Sequence, residues 1–362
     1  MNDPLVDLFL ELVQIDGTSA HEGAVRDYLL TLLRSWGLNP CEDSSTSKHG
    51  GESGNLICPV AGGGERLIVA HMDTVRPTKQ LVPKALADRI TSSGTTILGA
   101  DDRAGIAAIL NATKRLLEEK AVITGFTIAF TVREETDSAG AIHMEIPEAI
   151  THAVVFDSQE RPGYYISHGY GAKKFSVMVT GRAAHAGVAP EKGISAILVA
   201  AKSIAALPWG RIDKSTTANV GTFEGGTATN VIAESATVVG EIRSLTKENV
   251  EKHFAVVRTA FEREAEQAGA SVELTSHWDF LPYVHEPNGD VRGAVEKALR
   301  DCGLDPTPTT SAGGSDANEF NARNLPTIVL GIGSENPHGN DEYILIEDLH
   351  SCADIAYALM RG

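Results

Sequence analysis

No two cysteines of this sequence stand close together: Cys41, Cys58, Cys302 and Cys352 are dispersed along 362 residues. That spacing excludes a paired thiolate metal site or a redox dithiol, so free thiols in a reducing compartment are expected. Positive charge is also in short supply. Lys and Arg number 31 against 48 Asp and Glu, a formal net charge of -17, which argues against non-specific binding to nucleic acid or to an anionic membrane. No apolar run reaches membrane-spanning length, no segment is of low complexity, and Met1-Asn-Asp-Pro-Leu-Val-Asp lacks the basic and apolar parts of a signal segment. The expectation is a cytoplasmic protein with neither a membrane nor a nucleic acid as partner.

What remains is an ordinary globular composition, 42% hydrophobic, long enough for two domains. Residues 3–15 and 21–38 carry helical periodicity, the second stopped by Gly37. Short apolar runs at 56–60, 67–70, 126–132 and 153–156 read as strands, with a helix over 106–120 between the second and third. This alternation predicts an α/β domain with a central mixed sheet flanked by helices, whose function collects at strand ends. From Gly171 the pattern changes. Strands are expected at 172–180, 216–222, 236–242 and 271–276, and helices at 190–207 and 248–268, a β-α-β-β-α-β order that forms a split two-layer α/β (ferredoxin-like) unit. Helices at 289–302 and 346–360 and a strand at 327–330 then close the chain. The partition predicted is a catalytic domain made of residues 1–170 and 283–362, interrupted by an inserted domain over 171–282.

The strand ends carry the chemistry. His71 follows one apolar run, with Asp73 two residues on, so the aspartate can hold one imidazole nitrogen while the other faces a metal. Asp101-Asp102 opens a helix, where one acid could simply cap it. Glu134-Glu135 and Asp157 follow further strands, and His338 lies in the polar loop Asn336-Pro-His-Gly-Asn-Asp-Glu. Two histidines and three carboxylates form a mixed nitrogen and oxygen donor set that suits zinc, with cobalt or manganese also fitting. Five ligands exceed one open tetrahedral site. They suit two cations about 3.5 to 4 Å apart that share a bridging carboxylate, and one acid is left over to move a proton.

In order, His71-Met-Asp-Thr-Val, Gly99-Ala-Asp-Asp-Arg-Ala-Gly, Glu134-Glu135, Asp157, Gly181-Arg-Ala-Ala-His-Ala-Gly, Gly313-Gly-Ser-Asp-Ala-Asn and His338-Gly-Asn-Asp-Glu resemble the co-catalytic zinc exopeptidases of the M20 family. The nearest likeness is to the peptidase T, or tripeptide aminopeptidase, branch, and it spans essentially the whole chain. The resemblance implies that Asp101 bridges two zinc ions across a cis Asp101–Asp102 peptide. His71 and Asp157 would complete one metal, Glu135 and His338 the other. Glu134 would be the general base and Asp73 the residue that orients His71. Arg103 departs from the lysine usual in the family, though not at a ligand.

In the inserted domain the resemblance makes His185 a catalytic group that reaches a neighbouring subunit's site and stabilises the oxyanion, which implies a homodimer through that domain. Asn230, Arg243, Gly314 and Ser315 match substrate-contacting positions. Arg243 suits a terminal carboxylate because a guanidinium binds one bidentately. Glu342 supports the metal loop or caps the final segment. The activity implied is removal of the N-terminal residue from short peptides, tripeptides above all. A carboxypeptidase or an N-acyl-amino-acid amidohydrolase could use the same site, and a non-catalytic metal-binding scaffold is the remaining alternative.

Overall fold

The computed structural model describes residues 3–120 and 123–361, which divide into two compact units. The first comprises Met1–Ser167, Val284–Thr310 and Ser315–Gly362, and the second His168–Tyr283 with Ser311–Gly314.

The first unit is built on a mixed sheet. Six of its nine strands lie in the order Cys41–Glu42, Leu56–Val60, Phe126–Thr131, Arg66–His71, His152–Ser158 and Thr327–Gly331. The last four run parallel, in registers such as Ile68 with Ile128, Leu67 with Ala153 and Ile328 with Val154. Every side chain of Phe126–Thr131 is buried, as expected of a parallel strand covered on both faces. Helix Ala100–Glu119 makes the crossover between the strands Arg66–His71 and Phe126–Thr131 and buries an almost continuous run from Arg103 to Leu110. It meets the closing helix Ile346–Arg361 through Arg115 and Asp354, 2.7 Å apart. The first helix, Pro4–Val13, starts where Asp3 accepts hydrogen bonds from the Leu5 and Val6 amides at 3.1 and 3.3 Å, a side-chain cap with proline in the first turn.

Residues 76–98, which give no clear pattern in sequence, contribute the short strands Lys84–Ala85 and Arg89–Thr91 to a small sheet with Tyr343–Leu345 and Ser334–Glu335. The last two are an antiparallel hairpin, Ser334 opposite Ile344, and His338 sits in its loop.

The second unit is an antiparallel sheet in the order Gly210–Asp213, Thr216–Gly225, Ser235–Ser244, Gly171–Thr180 and Ser271–Phe280. Helices Ala196–Ala205 and Lys247–Ala268 pack against it around Phe175, Val177, Phe254 and Phe261. Thr246 caps the long helix by accepting from the Asn249 amide at 3.2 Å, and Gly269 ends it in the left-handed conformation. This is the expected β-α-β-β-α-β layout with one added edge strand. The helix predicted over 190–207 is shorter: a 3-10 turn Pro190–Lys192 precedes the helix proper, which begins after Ser195 caps it. Gly193, which separates the two, is extended (φ -89°, ψ 158°), and a Cβ added there would come within 2.4 Å of the Ile232 side chain.

Candidate active site

Four parallel strands present their C-terminal ends along one edge, and the candidate residues follow from that direction alone. His71 is the last residue of its strand, Asp157 the last but one of His152–Ser158, and Glu134-Glu135 form the turn after Phe126–Thr131. The hairpin after Thr327–Gly331 brings His338. Asp101 stands at the head of the crossover helix, where Asp101 and Asp102 have non-helical backbone angles and the peptide between them is cis.

These residues converge. The Asp101 carboxylate faces both imidazoles, with Oδ1 3.0 Å from His71 Nε2 and Oδ2 3.5 Å from His338 Nε2. Asp157 Oδ1 is 3.5 Å from His71 Nε2, and Glu135 Oε2 is 3.1 Å from His338 Nε2. Asp101 therefore divides the set into a His71–Asp157 side and a Glu135–His338 side. Burial alone would lower the His71 imidazole, but Asp101, Asp157 and Asp73 outweigh it and hold it well above its ordinary value. Asp101 and Glu135 push His338 up to about 10. Burial raises Asp157 to about 6 and, with the Asp157 charge, lifts Glu134 well above the usual carboxylate range.

The donor set fits divalent cations. Carboxylate oxygens crowd around two imidazole nitrogens, and Glu135 Oε1 is buried with no hydrogen-bond partner among the described residues. His71 Nδ1 faces the Asp73 backbone carbonyl at 3.0 Å and its Oδ1 at 3.4 Å, which leaves Nε2 toward Asp101. Two triads, His71–Asp101–Glu135 and His71–Asp102–Asp157, each hold their ligand atoms within 4.8 Å of one another.

The acids around the ligands brace them. Asp73 is fully buried, and its carboxylate does more than turn His71: it accepts from the Glu134 and Glu135 amides at 3.0 and 3.1 Å and from Ser19 Oγ at 2.6 Å. Glu22 accepts from the amide before them, Arg133, at 3.1 Å, so two carboxylates fix three successive amides of the turn. Burial and then the Asp73 charge raise Glu22 to about 7. Asp102 is the capping acid of its pair. It accepts from Gly105 N at 3.1 Å and from the His71 amide at 3.0 Å, tying the helix start to the strand end. Glu342 accepts from the Leu98, Gly99 and Asp101 amides at 2.8, 2.7 and 3.2 Å, which makes it the anchor of the Asp101 turn. Arg103 is the largest fully buried side chain, bonded to the Met72 and Ile15 carbonyls, and burial lowers it to about 10 even beside Asp73 and Asp102.

Glu22, Ser19 and Arg76 are site neighbours that the sequence does not single out, and Asp316 enters there only within the Gly313-Gly-Ser-Asp-Ala-Asn motif, with no role of its own. Asp316 is buried at the start of helix Asp316–Ala322, and burial raises its carboxyl to about 8. Ser19 had one signal, its place in the polar run Asp16-Gly-Thr-Ser between two helices. Glu22 reads only as an acid at a helix start.

The second unit arranges its candidates differently. His185 is exposed and paired with the Asn230 segment: the Ala186 amide donates to the Asn230 carbonyl at 2.9 Å, and His185 bridges Val231. Arg243 commits its guanidinium to Glu241, at 2.8 and 3.1 Å, and to the Ala312 carbonyl at 2.8 Å. Gly314 lies against Phe280, where a Cβ would come within 2.6 Å of the ring. That contact is a reason for glycine independent of any peptide. Ser315, in the first unit, makes a capping box with Asn318. His185 and Arg243 belong to opposite ends of one sheet, since Ser235 pairs with Thr180 and Arg243 with Ala172. Eight residues of strand separate those rungs, about 26 Å.

Comparison with known proteins agrees with this architecture. Residues 168–269 match the peptidase dimerisation domain of M20 enzymes. An uncharacterised protein of Bacillus subtilis, YqjE, is 36% identical over 99% of this chain and 97% of its own. Peptidase T of Clostridium perfringens is 29% identical over 75% of this chain and 68% of its own length. The crystal structure of aminopeptidase PepT from Bacillus cereus superimposes with a TM-score of 0.92 at 35% identity, covering 99% of this chain and 97% of that one. A tripeptidase from Staphylococcus aureus gives 0.93 at 30%, with the same coverage. The chain belongs to the M20 family of metallopeptidases. Within that family it falls with the peptidase T-like members, over 99% of its length for the aminopeptidase PepT structure and 75% for the peptidase T of Clostridium perfringens.

Proposed function

We propose that this enzyme is a two-metal aminopeptidase that releases the N-terminal residue of tripeptides. The observation that carries the reading is the Asp101 carboxylate set between two imidazoles, each with a further acid. His71 and Asp157 would hold one cation, Glu135 and His338 the other, with Asp101 shared. The mixed nitrogen and oxygen donors favour zinc. When bound, such a pair supplies Lewis-acid activation of water and of the scissile carbonyl. Glu134 is free to work beside it: its amide is held by Asp73, and its carboxyl makes no hydrogen bond among the described residues. It takes the proton of the attacking water and returns it to the leaving amine.

The separation within the second unit supports a dimer. A tripeptide spans about 11 Å at full extension, less than the about 26 Å of strand between the rungs nearest His185 and Arg243, which supports a division of the two between different sites. His185 then serves the site of a second copy, where it donates to the developing oxyanion. Asn230, next to it in the fold, acts with it. Arg243 orients the peptide carboxylate from the end it shares with the Ala312–Gly314 loop, in competition with Glu241. No helix of the described residues is long and apolar enough to cross a membrane, and a cytoplasmic enzyme of short-peptide turnover accords with the dispersed free cysteines.

Three substrates test the reading: a free tripeptide, its N-acetyl form and its C-terminal amide. Release of one residue and a dipeptide from the first, with no turnover of the N-acetyl form, is expected. Turnover that survives N-acetylation would instead establish the carboxypeptidase or amidohydrolase alternative.

A further inference from the structure

His338 is the least sheltered of the five candidate ligands. Its side chain is 48% exposed, whereas that of His71 is 1% exposed. It sits in a polar hairpin loop with a backbone φ of +67°, in the left-handed region that disfavours residues other than glycine. The side-chain contacts that hold this loop are polar ones. Glu342 anchors the far end. Beside the histidine the contact is Arg76. Its Nη2 donates to the His338 carbonyl and, at 3.0 Å, to Asn340 Oδ1. Asn340 donates in turn through Nδ2 to the Gly94 carbonyl at 3.3 Å, and its own carbonyl lies 3.1 Å from Ser92 Oγ, whose one proton is shared with the Thr96 carbonyl at 2.7 Å. The Arg76 backbone is secured as well, because Thr74 Oγ1 donates to its carbonyl at 2.9 Å.

Arg76 lies three residues beyond Asp73. The segment 71–76 thereby touches both halves of the metal-ligand set: it supplies His71, fixes the Glu134 and Glu135 amides through Asp73, and fixes the His338 backbone through Arg76. We propose that Arg76 is a positioning residue that holds His338 in ligand geometry and so sets the affinity of the Glu135–His338 cation selectively. The proposal rests on the two-cation reading above. Arg76 Nη2 carries two protons, one for each of the acceptors on His338 and Asn340.

The test is metal binding, read without turnover. Wild type, Arg76→Ala, Arg76→Lys and His338→Ala are stripped and titrated with cobalt(II), followed by visible absorbance and by competition with a chromophoric chelator. Wild type binds two equivalents. Arg76→Ala retains one at wild-type affinity and loses about 10- to 100-fold on the other, the range for residues that orient a ligand. Arg76→Lys, which can reach only part of the acceptor pair, falls between, and adding Arg76→Ala to His338→Ala weakens binding no further. Equal melting temperatures of the metal-free proteins exclude a folding defect; if Arg76→Ala melts lower, the Lys variant carries the test. Two cations at wild-type affinity in both Arg76 variants, or equal weakening of both cations, would overturn the proposal. Fewer than two equivalents on wild type would overturn the two-cation reading itself.

Discussion

The two units hold their candidate residues in opposite ways. In the first, four parallel strands point the same way, so every strand end falls on one edge and ligands far apart in sequence meet within 3.0 to 3.5 Å. In the second, an antiparallel sheet turns at both ends, and His185 and Arg243 are carried to different ones. A parallel edge can complete a metal site within one chain. An antiparallel unit places its candidates at two separate ends.

The largest expected effect lies in the first unit. Glu134→Gln should lower kcat by about 10^2- to 10^4-fold, the range for a lost general base, with metal content unchanged by atomic absorption. Loss of metal in that variant would mean that Glu134 and Glu135 have exchanged roles. The second unit gives the next effect. His185→Ala should cost about 10^2- to 10^3-fold in kcat, as for an oxyanion donor. Co-refolding it with Glu134→Gln should restore about a quarter of wild-type activity, because half of randomly paired dimers contain one complete site of two. If the mixture stays as inactive as its parts, His185 works within its own chain or not at all. The smallest effect tests the bracing of the parallel edge. Glu342→Ala leaves three amides without their acceptor and should destabilise the protein by about 2 to 3 kcal/mol in urea unfolding. A change within about 0.5 kcal/mol, the size usual for surface substitutions, would mean that Glu342 does not brace the Asp101 turn.

Much of this was legible in the chain because parallel strands write function locally. An apolar run ending in His71, or in Glu134-Glu135, is visible without knowing which strand lies beside it. The split α/β order of the second unit was equally visible, since each element carries its own periodicity. What the sequence hides are contacts that exist only after folding. Glu22 reads as a helix-start acid and Arg76 as a loop cation, yet each meets a ligand-bearing segment far along the chain. Asp73 was expected to orient a histidine, and its carboxylate also accepts from two amides some sixty residues away. The helix predicted through Gly193 is interrupted by an extended residue, which the apolar periodicity on either side does not register.

The central claim is that Asp101 joins two cations. Crystals grown with zinc and measured on both sides of the zinc absorption edge test it directly. Two anomalous peaks about 3.5 to 4 Å apart are predicted, one beside His71 and Asp157, the other beside Glu135 and His338, with the Asp101 carboxylate between them. A single peak, or two peaks that Asp101 does not bridge, would contradict the account.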